Sequence, residues 1–580
     1  MKPASKTWIQ TWILSYLWFF ASFSVLSAFC PALLLAEGEI QPKALLVDGD
    51  FLIFPIRDDG EKTRLEILSE GSRVHYVDIA PAHSIDETDW WASFDVREFR
   101  DEKIQIRFDS LPEGSELLSL VRVTNTVPRR EKLYDEKFRP QLRFSQIQGW
   151  NNDPNGLVWL NGEFHLFWQS NPVGRHWGNM YWGHAVSKDL IHWDEIGLAL
   201  RPHGEEIPAS ERPKCMAVGK CFSGSAHVVP QMEGEAQSSN PILVACFTDT
   251  SRGEALAWSA DAGRSWTYAE FNPIIAHRGR DPKLVWYEEG ACWIIAVYDE
   301  GRDGKARNID FYRSVDLKKW EKTGTVEGFY ECPELFALPV RGESHVDKKW
   351  VLFAADGQYQ IGIFDGKTFR PEHEGKFRVH YGKFYAAQCF NNHPQDRVIQ
   401  LGWAQIPIPN EQNQPFNQGF TLPIELTLRE TPEGTRLFAE PIRELETLRE
   451  NKVVVPTDGV VSLENFGDGQ LYEIRFRFRP ADAPNFRVRF GSSELSYDAA
   501  AQKLSGIPAS PDAEGWVCAQ VFVDRPMYEV SVNRGAAYFT GVRSDAGERF
   551  DSIRFENAWG VQAEVWSLRS IHAKRAEWEK

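Results

Sequence analysis

Apolar and polar residues alternate with a period of two through the first and last parts of the chain. From about residue 40 to 135 the runs are short: LLVDGDFLIFPI, TRLEILSEG, RVHYVDIA, WWASFDV and KIQIRFDSL, each bounded by turn residues. Such alternation turns one face of a strand inward and the other outward, and it predicts a small β-sandwich. TVPRREKLYDEKFRPQLRFS follows and reads as a charged linker. From about 430 to 580 the alternation returns in LYEIRFRFRP, FRVRFGSS, AQVFVDRPMYEVSVN and AAYFTGV, without helical periodicity. A second β-sandwich is the simplest reading.

The middle of the chain repeats itself. SKDLIHW from Ser187 to Trp193, SADAGRSW from Ser259 to Trp266 and SVDLKKW from Ser314 to Trp320 share one pattern, with a weaker copy from Asp365 to Phe369. In each, an Asp side chain is expected to bond back to the backbone of a turn between strands, with an aromatic closing the corner. Each copy follows a pair of apolar runs, such as GLVWLNGEFHLFWQ and KLVWYEEGACWIIAVY. That makes five units of roughly 50–70 residues, each able to form four antiparallel strands, which is the signature of β-propeller blades. The predicted architecture is therefore all-β: a five-bladed propeller over 140–428, a sandwich over 430–580 and a small β domain over 40–135.

The first forty residues differ from everything after them. Lys2 and Lys6 precede an apolar stretch from Trp12 to about Ala36. This predicts a secretory signal peptide over 1–36, cut after Ala36; an uncleaved anchor is the rival, since the stretch is long enough to span a bilayer. Phe29 is too bulky for lipoprotein processing at Cys30. The seven remaining cysteines are widely spaced and make no disulfide framework, although Cys215 and Cys221 could bridge a small loop. A formal net charge of -17 argues against a nucleic-acid partner, and no basic cluster or zinc-type spacing opposes that. The 22 Trp are numerous enough to suggest sugar stacking, but Trp150, Trp168, Trp177, Trp182 and Trp193 also suit a propeller core, and at most two are expected to touch sugar.

The innermost strand of a blade lines the central channel, so the residues that open it converge in space. The first unit opens Asn152-Asp153-Pro154, the third Arg280-Asp281-Pro282 and the fourth Glu331-Cys332-Pro333. The second opens at Phe222 and the fifth at Phe384-Tyr385. Asp before Pro is a common turn signal. Three carboxylates at matched positions exceed that explanation, because they would repel one another in one funnel. Paired carboxylates are the equipment of glycoside hydrolysis, and burial beside a like charge keeps one of them protonated near neutral pH.

These motifs resemble glycoside hydrolase family 32, the β-fructosidases. WNNDPNG (Trp150–Gly156) resembles the nucleophile motif, GRDPK (Gly279–Lys283) the Arg-Asp-Pro motif and YECPELF (Tyr330–Phe336) the acid/base motif. FSGSA (Phe222–Ala226), WGNMYWGHAVSKDLIHW (Trp177–Trp193) and FYAAQCF (Phe384–Phe390) also match. The resemblance implies a five-bladed propeller with a C-terminal sandwich and no cofactor or metal. It implies Asp153 as nucleophile, Glu331 as acid/base, Asp281 as transition-state stabiliser and Arg280 as the residue orienting Glu331. Trp150, Asn151, Asn152, Gln169, Trp177, Phe222, Ser223 and Trp403 would line the fructose subsite, although Asn151 fills a slot that is often apolar in the family. The N-terminal extension resembles the levanase-like bacterial branch. A β-fructan or sucrose is the implied partner, with no membrane contact after signal removal.

Rival readings make different demands. A sialidase would explain the Asp turns but needs an arginine triad and a Tyr nucleophile. A five-bladed pentosidase lacks WNNDPNG and YECPEL. A non-catalytic fructan-binding protein has no use for three carboxylates. Arg280 could also serve only as a structural ion-pair partner of Asp281.

Overall fold

The computed structural model describes residues 41–202, 219–229, 241–250, 252–301, 303–341, 348–411, 413–467 and 469–572. The signal segment and Cys215 lie outside them. Cys221 is a buried free thiol, as are Cys246, Cys292, Cys332 and Cys389. Among the described residues no helix is long and apolar enough to cross a membrane.

The N-terminal region forms two antiparallel sheets. One has the order Lys43–Leu46, Lys103–Phe108, Thr63–Ser69, Ser72–Ile79, and the other Trp90–Asp95, Phe51–Ile56, Arg122–Thr124. The period-2 pattern does its expected work here: in Lys103–Phe108, Ile104, Ile106 and Phe108 are buried while Lys103 and Gln105 are exposed.

The segment that reads as a charged linker is a correction. Arg139 and Arg143 are fully buried. Arg143 donates to Asp524 at 2.9 Å and to Glu529 at 2.7 Å, and Arg139 pairs with Glu136. Charges survive burial only when they are paired in this way. Arg143's partners Asp524 and Glu529 are nearly 400 residues downstream, out of reach of local pattern. The segment fastens the start of the propeller to the C-terminal domain.

Five four-stranded units follow. The inner strands are Gly149–Leu160, Cys221–Val229, Gly279–Tyr287, Glu334–Arg341 and Phe384–Cys389. The second strands are mostly buried, and Ile242–Asp249 is buried along its whole length. Sandwiched between neighbouring blades, they read as unbroken apolar runs. Outer strands such as Glu321–Glu327 are largely exposed and carry little hydrophobic signal. The fifth blade runs past the expected boundary at 428, because Gly434–Pro441 pairs along its length with Ile424–Thr431 as the blade's outer strand. Backbone bonds between Trp159 and Asn391, and between Asn391 and Leu157, tie the fifth blade to the first.

The repeated Asp turns have the geometry their sequence suggests. Asp189 accepts from the amides of Ile191 and His192, Asp261 from Arg264 and Ser265, Asp316 from Lys318 and Lys319, and Asp365 from Lys367 and Thr368. The indole N–H of Trp193, Trp266 or Trp320 closes the first three onto a turn carbonyl. The next residue in each, Leu190, Ala262, Leu317 and Gly366, has a left-handed backbone. The two Asp-accepted amides offset that cost in the three turns without glycine.

Residues beyond 448, joined by one upstream strand, form a seven-stranded and a six-stranded sheet. Phe476, Phe478, Phe486, Val488, Phe490, Val521, Val530, Phe555 and Val565 fill the core between them. His380–Gly382, from the link between the fourth and fifth blades, extends the larger sheet in parallel with Ala537–Val542. The protein is thus all-β: a five-bladed propeller, a C-terminal sandwich and an N-terminal β domain.

Candidate functional site

Four of the five inner strands begin with the same irregularity. The pairing register slips between Asn151 and Pro154, between Cys221 and Gly224, between Arg280 and Lys283, and between Tyr385 and Gln388. The unpaired residues include Asn152, Asp153, Phe222, Ser223 and Asp281. A bulge re-aims side chains that strict alternation would send to opposite faces, and here it lets neighbours such as Asn152 and Asp153 face the same space. In the fourth blade Glu331 sits just before the strand. Asp281, Glu331 and Cys332 all have positive φ, at 66°, 50° and 42°. Such conformations are costly for residues with a Cβ and cluster where function demands them.

The three carboxylates meet. Asp153 accepts from Ser223 Oγ at 2.6 Å and from Asn152 Nδ2 at 3.2 Å. Asp281 accepts from the Cys332 amide at 3.2 Å. The Cys332 thiol lies 3.8 Å from Asp153 and 3.5 Å from Asp281, between the two. Arg280 donates to Glu331 Oε1 through Nε at 3.0 Å and Nη2 at 2.5 Å, and also bonds Glu300. Its Nε is 4.0 Å from Asp281, so Arg280 is bonded to Glu331 and only near Asp281. The Tyr385 hydroxyl donates to Glu331 Oε2. Both oxygens of Glu331 are therefore held.

Burial raises Asp153 to about 6, and the Glu331 charge adds to the rise against the hydrogen bonds from Ser223, Asn152 and Cys332. Asp281 is pushed well above the ordinary carboxylate range, by burial first and then by Glu331 and Asp153, with Arg280 opposing. Asp153 thus exchanges its proton close to neutral pH, while Asp281 keeps its proton above the ordinary carboxylate range, the kind of perturbation that clusters at functional sites.

Aromatic residues surround them. The Trp150 indole donates to Asn152 at 3.1 Å and packs edge-on to Trp403, which packs edge-on to Tyr385. Trp177 packs on Phe222 and is 42% exposed. Gln169 donates to the Cys221 carbonyl at 2.7 Å, at the start of the second blade. Of the five Trp with two possible roles, Trp168, Trp182 and Trp193 are core, and Trp150 and Trp177 are accessible. Asn151 is a correction: it is wholly buried and has no part in the lining. It precedes the bulge and alternates away from Trp150 and Asn152, which share a face.

Tyr385, Glu300 and Cys332 are site residues whose roles the sequence did not reveal. Tyr385 stood at the matched opening position of the fifth unit, and that position was its signal. Among the described residues no group of His, Cys, Asp and Glu is arranged to hold a metal.

Three carboxylates at the mouth of a five-bladed propeller, one held by an arginine and a tyrosine, define a glycoside hydrolase. Comparison with known proteins gives the family. Residues 144–441 match the profile of the glycosyl hydrolases family 32 N-terminal domain. The levanase of Bacillus subtilis (strain 168) is 33% identical over 471 residues, covering 70% of this chain and 67% of that protein. The extracellular exo-inulinase of Aspergillus niger is 28% identical over 499 residues, covering 70% and 89%. Among solved structures, the exo-inulinase of Aspergillus awamori superposes with a TM-score of 0.64 at 25% identity, covering 76% of this chain and 99% of that one. The chain belongs to glycosyl hydrolase family 32.

Proposed function

We propose that this protein is an exported, exo-acting, retaining β-fructosidase that prefers levan and also accepts inulin and sucrose. The observation that carries the reading is the pairing of Asp153 with a Glu331 gripped at both oxygens, beside a third carboxylate, Asp281. In the first half-reaction Asp153 attacks the anomeric carbon while Glu331 gives its proton to the leaving oxygen. The bond to the leaving alcohol breaks as the bond to Asp153 forms. In the second half-reaction Glu331 takes a proton from water, which displaces Asp153 and releases fructose. Arg280 and Tyr385 fix the direction of the Glu331 carboxyl, and Asp281 binds hydroxyls of the reacting sugar. The accessible Trp150, Trp177 and Trp403, together with Phe222, are the walls against which the sugar packs.

Levanase and exo-inulinase relatives support a fructan substrate. Purified protein incubated with levan, inulin and sucrose should release free fructose from the earliest time points, fastest from levan. Long oligosaccharides without fructose would exclude exo action, and equal or faster release from inulin would exclude the levan preference. Lys2, Lys6 and the apolar run up to Ala36 support export. Sequencing the N-terminus of the mature protein should find residues beyond 36, and a chain beginning at Met1 would rule out cleavage.

A further inference from the structure

Residues 172–180 link the second and third strands of the first blade and carry Trp177. This loop is gripped on both sides of Trp177 by the N-terminal domain. On one side Arg175, only 2% exposed, donates to Asp58 Oδ2 at 3.0 Å. Asp58 is itself fixed, because its other carboxylate oxygen accepts from the Trp90 indole at 3.0 Å and its amide donates to Asp89 at 2.9 Å. On the other side Asn179 exchanges two hydrogen bonds with the backbone of Asp78, each 2.9 Å. Asn171 donates to the His176 carbonyl at 2.8 Å inside the loop. Gly174 permits that closeness: a Cβ there would stand 2.7 Å from Asn171 Nδ2.

Arg175 reaches a second wall of the site as well. Its guanidinium donates to the carbonyls of Phe416 at 3.1 Å and Pro409 at 2.9 Å, and bonds Asn410. Its own carbonyl accepts from Asn417 at 2.8 Å. Gln418 donates to Asn417 at 3.2 Å and accepts from the Trp403 indole at 3.0 Å. One chain of bonds thus runs from Asp58 through Arg175, Asn417 and Gln418 to Trp403, and Trp177 stands two residues beyond Arg175. A buried guanidinium needs its carboxylate: without it, an unpaired charge is left in the interior and the segments it holds must rearrange.

We propose that the N-terminal domain positions the aromatic walls of the active site, with Arg175 as the positioning residue and Asp58 as its anchor. This deepens the β-fructosidase reading, since it takes Trp177 and Trp403 as walls of the sugar subsite. The domain acts on substrate binding through the propeller loops, with no contact to the reacting atoms.

The test compares Asp58→Asn, Trp177→Ala and the double variant in the full-length enzyme, with kcat and KM measured on sucrose and levan. Asp58→Asn should raise KM about tenfold with kcat changed less than about threefold, because the loss falls on positioning. In the Trp177→Ala background it should raise KM for sucrose by clearly less than tenfold, because one of the two walls it positions is gone and only the path to Trp403 remains. A fall in kcat with KM unchanged, or effects that multiply in the double variant, would overturn the proposal. Hydrogen exchange supplies a readout free of activity: amides of 172–180 should exchange faster in Asp58→Asn while those of Phe51–Ile56 keep their protection. Unchanged exchange in the loop would also overturn it. If Asp58→Asn does not fold, Asn179→Ala releases the other grip and should give the same KM and exchange pattern. If the wild-type enzyme hydrolyses neither sugar, the β-fructosidase reading fails, and the exchange arm still decides the clamp.

Discussion

Asp153→Ala is expected to show no turnover on any fructoside, whereas Glu331→Ala should fail on levan and recover on a fructosyl donor whose leaving group departs unaided. The two variants differ in kind because the proposed mechanism gives the two carboxyls different work. Without Asp153 no covalent intermediate can form, whatever leaves. Without Glu331 only the proton is lost, and general acid catalysis contributes on the order of 10²–10⁴-fold. A donor that needs no proton bypasses that loss in the first step. Added azide should then accelerate breakdown of the intermediate and yield fructosyl azide, since a small anion needs no general base. Rescue of the Asp153 variant instead would swap the two roles. First-formed fructose of inverted configuration would exclude double displacement. The pH profile adds a check that the site geometry makes specific. Asp153 must be ionised to attack, and it is raised to about 6, so the rate should fall below about that pH. Burial is the largest cause of that rise, and the Glu331 charge adds to it only where Glu331 is ionised. The proposed acid still holds its proton on this limb, so with the activated donor Glu331→Ala should leave the limb in place. A limb that moves to lower pH would show Glu331 already ionised there and so unfit as the proton donor.

The parts of this molecule legible in its sequence are those that repeat. Four Asp turns at matched positions announced the blades, and three carboxylates at matched openings announced the site, because a radial repeat turns equal sequence position into spatial convergence. The parts that were not legible depend on partners far away along the chain. Arg143 looks like a surface charge until Asp524 and Glu529 are seen beside it. Asn151 sits in the WNNDPNG motif, yet strand alternation turns it into the interior. Gly434–Pro441 carries too weak a hydrophobic pattern to claim its place in the fifth blade. Arg175 and Asp58 are 117 positions apart, and no periodicity joins them. Tyr385 marks the boundary between the two cases: its position was visible, but its bond to Glu331 needed the fold.

Asp281→Asn is expected to lower turnover about a hundred- to thousandfold and, in the same variant, to stabilise the fold at neutral pH. The activity loss follows from the loss of one preorganised carboxyl that grips the reacting sugar in the transition state, which is worth about 2.7–4 kcal/mol. The stability gain follows from the cost of ionising that carboxyl in its buried place before substrate arrives. Asp281 is buried beside Glu331 and Asp153, and its carboxyl is held well above the ordinary range. An unfolded chain releases that proton near pH 4, whereas the folded protein keeps it to higher pH. Folding therefore favours the protonated form, and stability from this group is lost as pH rises from the unfolded value through the raised one. Asparagine never ionises and escapes that loss. The melting temperature of Asp281→Asn should accordingly exceed wild type at pH 7.5, and the difference should shrink towards pH 4. The acid limb should remain in the variant's pH profile, because in the proposed mechanism Asp281 neither gives nor takes the proton. Near-normal turnover would remove Asp281 from the mechanism. A variant that is slow but no more stable at pH 7.5 would show that the buried charge is already neutralised in the free enzyme, by Arg280 at 4.0 Å and by the Cys332 amide at 3.2 Å.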